Sequence, residues 1–237
     1  MIWVLFLIIF ISSIPLIAVY IWFRVAKYPF SIVKFLIALL AGAATVFPAL
    51  LFQNMLPDSF PVTGRWSLFF EVFIRVALTE ELSRLLILFI LFWISNLVIS
   101  RNSVSEYPAK AVSLDKVNQG TATGMIAGLG FALLEGAIYG ASDTGILLIR
   151  AFTAAPLHGA CGSRVGAAAV LFRSHPVQAL FRFFVAAAIH GIYNFMILMP
   201  GFPSIAAILI ALSALASSLI TIRGGWKNNP SNPSSLA

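Results

Sequence analysis

Two adjacent carboxylates and an arginine, Glu80, Glu81 and Arg84, lie inside an apolar stretch running roughly from Trp66 to Ile99. A charged side chain at the centre of a bilayer costs about 2.5 kcal/mol or more, so such groups face a partner or a water-filled cavity and mark functional sites. Three later apolar stretches carry further polar groups. Glu135 stands one helical turn from both Phe131 and Tyr139, so the three share a face. His158 sits in Pro156-Leu157-His158-Gly159-Ala160-Cys161-Gly162, and His190 and Asn194, four positions apart, point the same way. Together these groups could hydrolyse a peptide bond. One carboxylate takes a proton from a bound water and delivers it to the leaving amine, while a histidine and an asparagine stabilise the developing oxyanion. No serine lies in a nucleophile motif and there is no His-Glu-x-x-His pair, which counts against serine and zincin-type mechanisms.

Glutamates and histidines converging from several helices could also bind zinc, with one position left for water. Glu80 and Glu81 are adjacent and cannot both point at one ion from a regular helix. Glutamate-activated water is therefore the leading expectation: no cofactor is required, and zinc is the metal left open. Each residue also has a plainer reading. Either Glu80 or Glu81 could form a structural ion pair with Arg84, at i+4 and i+3, but one arginine does not need two partners. Glu135 has no cation nearby in sequence. A single histidine could be a packing residue, and Asn194 alone could be interhelical glue. Arg75 is expected to pair with Glu71 at i,i+4, and Arg164 has no evident place.

These residues must be positioned by membrane helices. The chain is 60% hydrophobic and 10% charged, a balance foreign to soluble domains. Hydropathy and breaks divide it into about seven segments near the ~20 residues a spanning helix needs, at approximately 1–23, 31–53, 66–99, 120–140, 144–172, 176–199 and 201–222. The expected fold is thus an all-α polytopic bundle in one domain, 1–222, with a catalytic core over about 66–199 and a short tail, 223–237, too rich in Asn, Pro and Ser to fold. The first segment lacks a charged leader and a small-residue cleavage site, so it reads as a retained helix. The linker 101–119 holds no core, and the lone Cys161 permits no internal disulfide. Gly120, Gly124 and Gly128 recur every four residues, as do Gly136 with Gly140 and Gly162 with Gly166. Such faces let helix backbones approach closely in lipid, which could draw the four polar helices together around one cavity.

Lys and Arg gather in alternate loops: Arg24, Lys27 and Lys34; Arg101, Lys110 and Lys116; Arg173 and Arg182; Arg223 and Lys227. The intervening loops hold mainly Asp58, Arg65, Asp143 and Pro200-Gly201-Phe202-Pro203. The positive-inside rule then puts the N-terminus outside and the C-terminus in the cytoplasm. A basic inner rim beside anionic lipid accounts for the net charge of +7 without nucleic acid.

The set EELSR at 80–84, GLGFALLEGAIYG at 128–140, IRAFTAAPLHGACGSRVGAA at 149–168 and IHGIYNF at 189–195 resembles the ordered motifs of PrsW-family intramembrane proteases, relatives of the CAAX-processing endopeptidases. Four motifs in order over roughly residues 80–195 make the signal specific. The resemblance implies that Glu80 and Glu81 match the paired family glutamates, Glu135 that of the second motif, His158 the third-motif histidine, and His190 with Asn194 the fourth motif. Arg84 and Arg150 match supporting positions. It also implies cleavage of membrane-embedded or membrane-proximal proteins, such as an anti-sigma-factor-like regulator, in a bacterial cytoplasmic membrane. Arg84 stands where the family often has lysine, and Gly136 where it commonly has asparagine. Two other classes use similar residues: a proton-coupled transporter, which would show inverted repeats not found here, and an inactive scaffold or immunity-type binding protein. Substrate and oligomeric state are not encoded legibly.

Overall fold

The computed structural model describes residues 2–56, 64–102, 113–140 and 144–227. Among the described residues ten α-helices follow one another: α1 (Ile2–Val25), α2 (Ile32–Ala44), α3 (Val46–Met55), α4 (Arg65–Phe70), α5 (Thr79–Asn102), α6 (Leu114–Gly140), α7 (Thr144–Phe152), α8 (Ala154–Leu171), α9 (Pro176–Leu198) and α10 (Ser204–Lys227). A π-helical segment, Glu71–Leu78, joins α4 to α5. No strand occurs among the described residues, and the fold is an all-α bundle.

All seven predicted segments are helical, but they differ in kind. Five stretches, 6–25, 32–55, 114–140, 176–198 and 204–226, are long and apolar enough to cross a bilayer. The other two, predicted at 66–99 and 144–172, are interrupted, as 32–55 also is at Thr45, and they carry most of the candidate charges. Two boundaries move as well. The helix predicted to begin at 120 starts at Leu114, because Asn118 is buried and donates to the Ile222 carbonyl at 3.2 Å. The last helix continues past 222 to Lys227, where Trp226 packs edge-on against Tyr28 at 5.9 Å. Asp58, Lys110, Asp143 and most of the predicted tail lie outside the described residues.

The bundle is organised around α8, of which every residue is buried except Arg164 and Val170. Its small side chains allow this. A Cβ added at Gly124 would strike the Gly162 carbonyl, one at Gly128 the His158 carbonyl, and one at Gly166 the Gly120 carbonyl. The predicted faces Gly120/Gly124/Gly128 and Gly162/Gly166 thus form a backbone-to-backbone seam between α6 and α8, where dispersion and close approach replace the hydrophobic effect that lipid cannot supply, whereas Gly136 and Gly140 face the side chains of Ser12 and Leu147. Gly42 of α2 closes on Ala127 of α6 in the same way. Outward, Phe6, Phe47 and Phe181 stand exposed, as lipid-facing side chains should. Arg164 meets its needs without an acid: it donates to the Ala160 carbonyl at 2.9 Å and to Ser218 Oγ at 3.0 Å.

Two breaks in the helical ladder position the site. The π segment ends at Thr79, whose hydroxyl donates to the carbonyls of Arg75 at 2.5 Å and Val76 at 3.0 Å. Such a segment adds a residue per turn and so rotates the face that follows it, a device common beside functional sites. Phe73 within it lies where α9 lacks a side chain, at Gly191, and stacks on Phe69 at 4.3 Å. The second break falls at Thr153, between α7 and α8. Its hydroxyl donates to the Ile149 carbonyl at 2.8 Å and accepts from Tyr193 at 2.7 Å, pinning the bend to α9. Arg150 and His158 therefore leave separate helices.

Candidate active site

The first turn of α5 carries both adjacent glutamates inward, and the structure gives them different surroundings. Glu81 is fully buried, forms an ion pair with Arg84 one turn on, and accepts from His190 Nδ1 of α9 at 2.9 Å. Arg84 is also fully buried, extends toward His158 Nδ1 at 3.4 Å, and lies over the Phe131 ring at 5.0 Å. His158 Nε2, from α8, is 2.9 Å from Glu135 Oε2 of α6, and that oxygen is 2.5 Å from the Arg150 guanidinium of α7. The two imidazoles meet edge to face at 4.9 Å. Arg150, Glu135, His158, Arg84, Glu81 and His190 thus form one continuous chain of contacts drawn from five helices. The sequence left Glu135 without a neighbouring cation; Arg150 supplies it from a helix that sequence proximity does not reveal.

Partners assign the tautomers. Arginine only donates, so His158 Nδ1 accepts and its Nε2–H donates to Glu135. His190 donates through Nδ1 to Glu81, which leaves its Nε2 lone pair open. That nitrogen lies 3.7 Å from Glu80 Oε2, an oxygen buried with no hydrogen-bond partner. The other Glu80 oxygen accepts a long bond from Gln53 of α3 at 3.5 Å. Three carboxylates face two guanidiniums here: Arg84 pairs with Glu81 and Arg150 with Glu135, and Glu80 has no guanidinium within ion-pair distance among the described residues.

A buried carboxyl oxygen without a hydrogen bond has a missing partner. One oxygen of Glu80 and one ring nitrogen each of His158 and His190 lie within 4.8 Å of one another, close enough to hold a metal ion. Two histidines and a carboxylate are a familiar donor set for a three-ligand zinc site. Glu81, bonded to the far nitrogen of His190, is the outer carboxylate that orients such an imidazole. The residues fit the group; His158 is the one donor already engaged at both nitrogens and would give up its contact with Glu135.

Asn194 does not join this network. It is half-buried one turn beyond His190 and makes no side-chain hydrogen bond among the described residues. The expected roomy wet cavity also takes a different form. Glu80, Glu81, His158 and His190 are packed to 5% exposure or less, and beside them lies a cavity of only about 10 Å³ lined by Ser12, Glu135, Arg150 and small residues of α6 and α8. That space is near the volume one water needs, and Ser12 Oγ, buried without a partner, is one of its walls. The sequence reading singled out neither Gln53 nor Ser12. A lone amide pair, Gln53-Asn54, inside an apolar span was the available signal for the first; Ser12 gave none.

The arrangement defines a helical membrane protein with a buried acid–histidine–arginine site. A family model described as PrsW family intramembrane metalloprotease matches residues 31–219, and the chain belongs to that family. It is accordingly an intramembrane protease, a multi-pass enzyme acting on membrane proteins within lipid. No curated protein gives a significant match. No solved structure does either. The match begins after α1, so Ser12 lies outside it.

Proposed function

We propose that the chain cleaves a membrane-embedded or membrane-proximal protein, such as an anti-sigma-factor-like regulator, in a bacterial cytoplasmic membrane, with its N-terminus outside and its catalytic core over about 66–199. The observation that carries the mechanism is the unpartnered Glu80 oxygen facing the open Nε2 of His190. Glu80, His158 and His190 would hold a divalent metal, zinc being best suited to two imidazoles and a carboxylate. Zinc bound there supplies Lewis acidity, polarising the scissile carbonyl and acidifying water. This reading favours a metal over the unaided glutamate-activated water expected from sequence.

The chain's own residues do the rest. Glu135, fixed by Arg150 and beside the water-sized cavity, takes the proton of the attacking water and passes it to the leaving amine. Glu81 holds His190 in the tautomer that exposes Nε2, and keeps Arg84 against His158. Asn194, one turn beyond His190 and without a side-chain hydrogen bond among the described residues, would donate to the oxyanion in this reading. The close packing excludes bulk water, so the charges act at full strength.

Reconstitution tests this reading. Wild type mixed in liposomes with a single-span substrate is expected to cut it, and Glu135→Gln is expected to slow cleavage by about 10²–10⁴-fold. Equal cleavage by the variant removes Glu135 from the mechanism.

A further inference from the structure

A second hollow lies at the opposite end of the bundle from the acid cluster. It is a groove of about 380 Å³ between α2, α5, α6 and α8, with Phe30, Phe89 and Trp93 in its walls and Lys34, Lys116 and Arg173 around it. Thr123, the groove residue farthest along α6, precedes Glu135 by twelve positions, roughly 18 Å of helix. On α5 Phe89 of the groove follows Arg84 of the acid cluster by five positions, roughly 7 Å of helix, and the groove's lining includes none of the acid-cluster residues.

Three features specify an occupant. The first is charge: Lys34 and Lys116 lie in the first turns of α2 and α6, and Arg173 just beyond the end of α8, so all three project at one rim of the bundle. No carboxylate lines the groove, and none lies within ion-pair distance of these cations among the described residues. The nearest acid in sequence, Asp115, turns to Gln119, which donates to it at 2.8 Å. The second is the setting of Arg173, whose guanidinium is held over Phe89 at 5.5 Å and Trp93 at 6.0 Å. Stacking occupies the faces of the guanidinium and leaves its N–H edges for a planar or tetrahedral anion. The third is the polarity of the groove itself, apolar and aromatic along its walls and cationic only around its mouth.

We infer that this groove binds a phospholipid with a net negative headgroup, its phosphate among Lys34, Lys116 and Arg173 and its acyl chains along the aromatic walls. Basic pockets between membrane helices on the positively charged side are suited to such headgroups. The volume lies within the range of small-molecule sites. A zwitterionic lipid offers the same chains but no net charge to three cations that have no carboxylate partner among the described residues. The site is independent of the proteolytic reaction and stands whether or not Glu135 is the base.

Binding is measured on the purified full-length chain. Native mass spectrometry counts lipids retained from mixtures of phosphatidylglycerol and phosphatidylcholine with identical chains, and brominated versions of each report proximity to Trp93 by quenching. Phosphatidylglycerol is expected to be retained preferentially and to quench a fluorescence component that Trp93→Phe removes. Replacing Lys34, Lys116 and Arg173 with Gln is expected to weaken retention by about fivefold per cation. A control that neutralises three exposed cations of the same rim, Arg24, Lys27 and Arg223, is expected to stay within about twofold of wild type. Equal retention of the two lipids, or equal losses in both triple variants, overturns the site. So does a photoreactive residue at position 92 that crosslinks to a single-span substrate and not to lipid, which would assign the groove to substrate.

Discussion

Glu80 and Glu81 are neighbours with the same side chain, yet replacing each by Gln is expected to have opposite consequences. Glu81 is fully buried between Arg84 and His190, and removing its charge leaves the fully buried Arg84 without its carboxylate. Breaking a buried pair in this way costs about 3–5 kcal/mol, and for a chain of this size each kcal/mol lowers Tm by about 2–4 °C, so Glu81→Gln should lose about 6–20 °C. Glu80 has no ion pair to an arginine; one oxygen has no hydrogen-bond partner and the other only the 3.5 Å contact with Gln53. With metal removed from both proteins, Glu80→Gln replaces a carboxyl whose Oε2 has no hydrogen-bond partner among the described residues, and its Tm should stay within about 2 °C of metal-free wild type or rise. Its cleavage with metal supplied should nevertheless fall by about 100-fold, as the proposed metal-holding role of Glu80 requires. Both variants are made in one detergent, Tm is read by circular dichroism, and cleavage is read on a reconstituted single-span substrate. A Glu80→Gln protein destabilised as much as Glu81→Gln, or one that still cuts at wild-type rate, would refute the division of roles.

Three further outcomes follow from the same contacts. Gly128→Ala places a methyl group against the His158 carbonyl and should cost about 1–3 kcal/mol by overpacking, with cleavage falling as His158 shifts, whereas Gly136→Ala meets Ser12 Oγ at an ordinary 3.4 Å and should be tolerated; paired Tm and cleavage measurements decide it. Tyr193→Phe deletes the 2.7 Å bond to Thr153 at the α7–α8 break and should lower Tm by about 2–4 °C with little change in cleavage per folded molecule. Arg150→Lys keeps the charge beside Glu135 but not the fork, and should retain more cleavage than Arg150→Ala while the two differ little in Tm, since this arginine is partly exposed; equal activity in the two variants contradicts a positioning role.

What the sequence made legible followed the reach of helical periodicity. The i,i+4 pair Arg75–Glu71 and the i,i+3 pair Arg84–Glu81 are found at 3.5 Å and in direct contact, and the four-residue glycine spacing marked the α6–α8 seam before any coordinates did. The resemblance marked Arg150 as a supporting residue, but its pairing with Glu135 was not legible, because it is a contact between two helices, α6 and α7, and not within one. The same holds for Gln53 against Glu80 and Ser12 beside Glu135: both are tertiary contacts between distant spans. The π segment at 71–78 was invisible for a different reason, since it is a backbone choice with no residue signature as strong as proline or glycine. Asn194 shows the converse limit: sharing a face with His190 put it near the site but did not give it a partner.

We propose that Glu80, His158 and His190 act together as one metal-holding hydrolytic site, and metal content measured alongside cleavage tests this most directly. Elemental analysis of wild type and of Glu80→Gln, His158→Ala and His190→Ala, each purified without added chelator and assayed on the same reconstituted substrate, should find one divalent ion per wild-type chain. Each variant should lose both the ion and the activity. A metal-free wild type that cleaves at full rate, or variants that keep the ion while losing activity, would contradict the account.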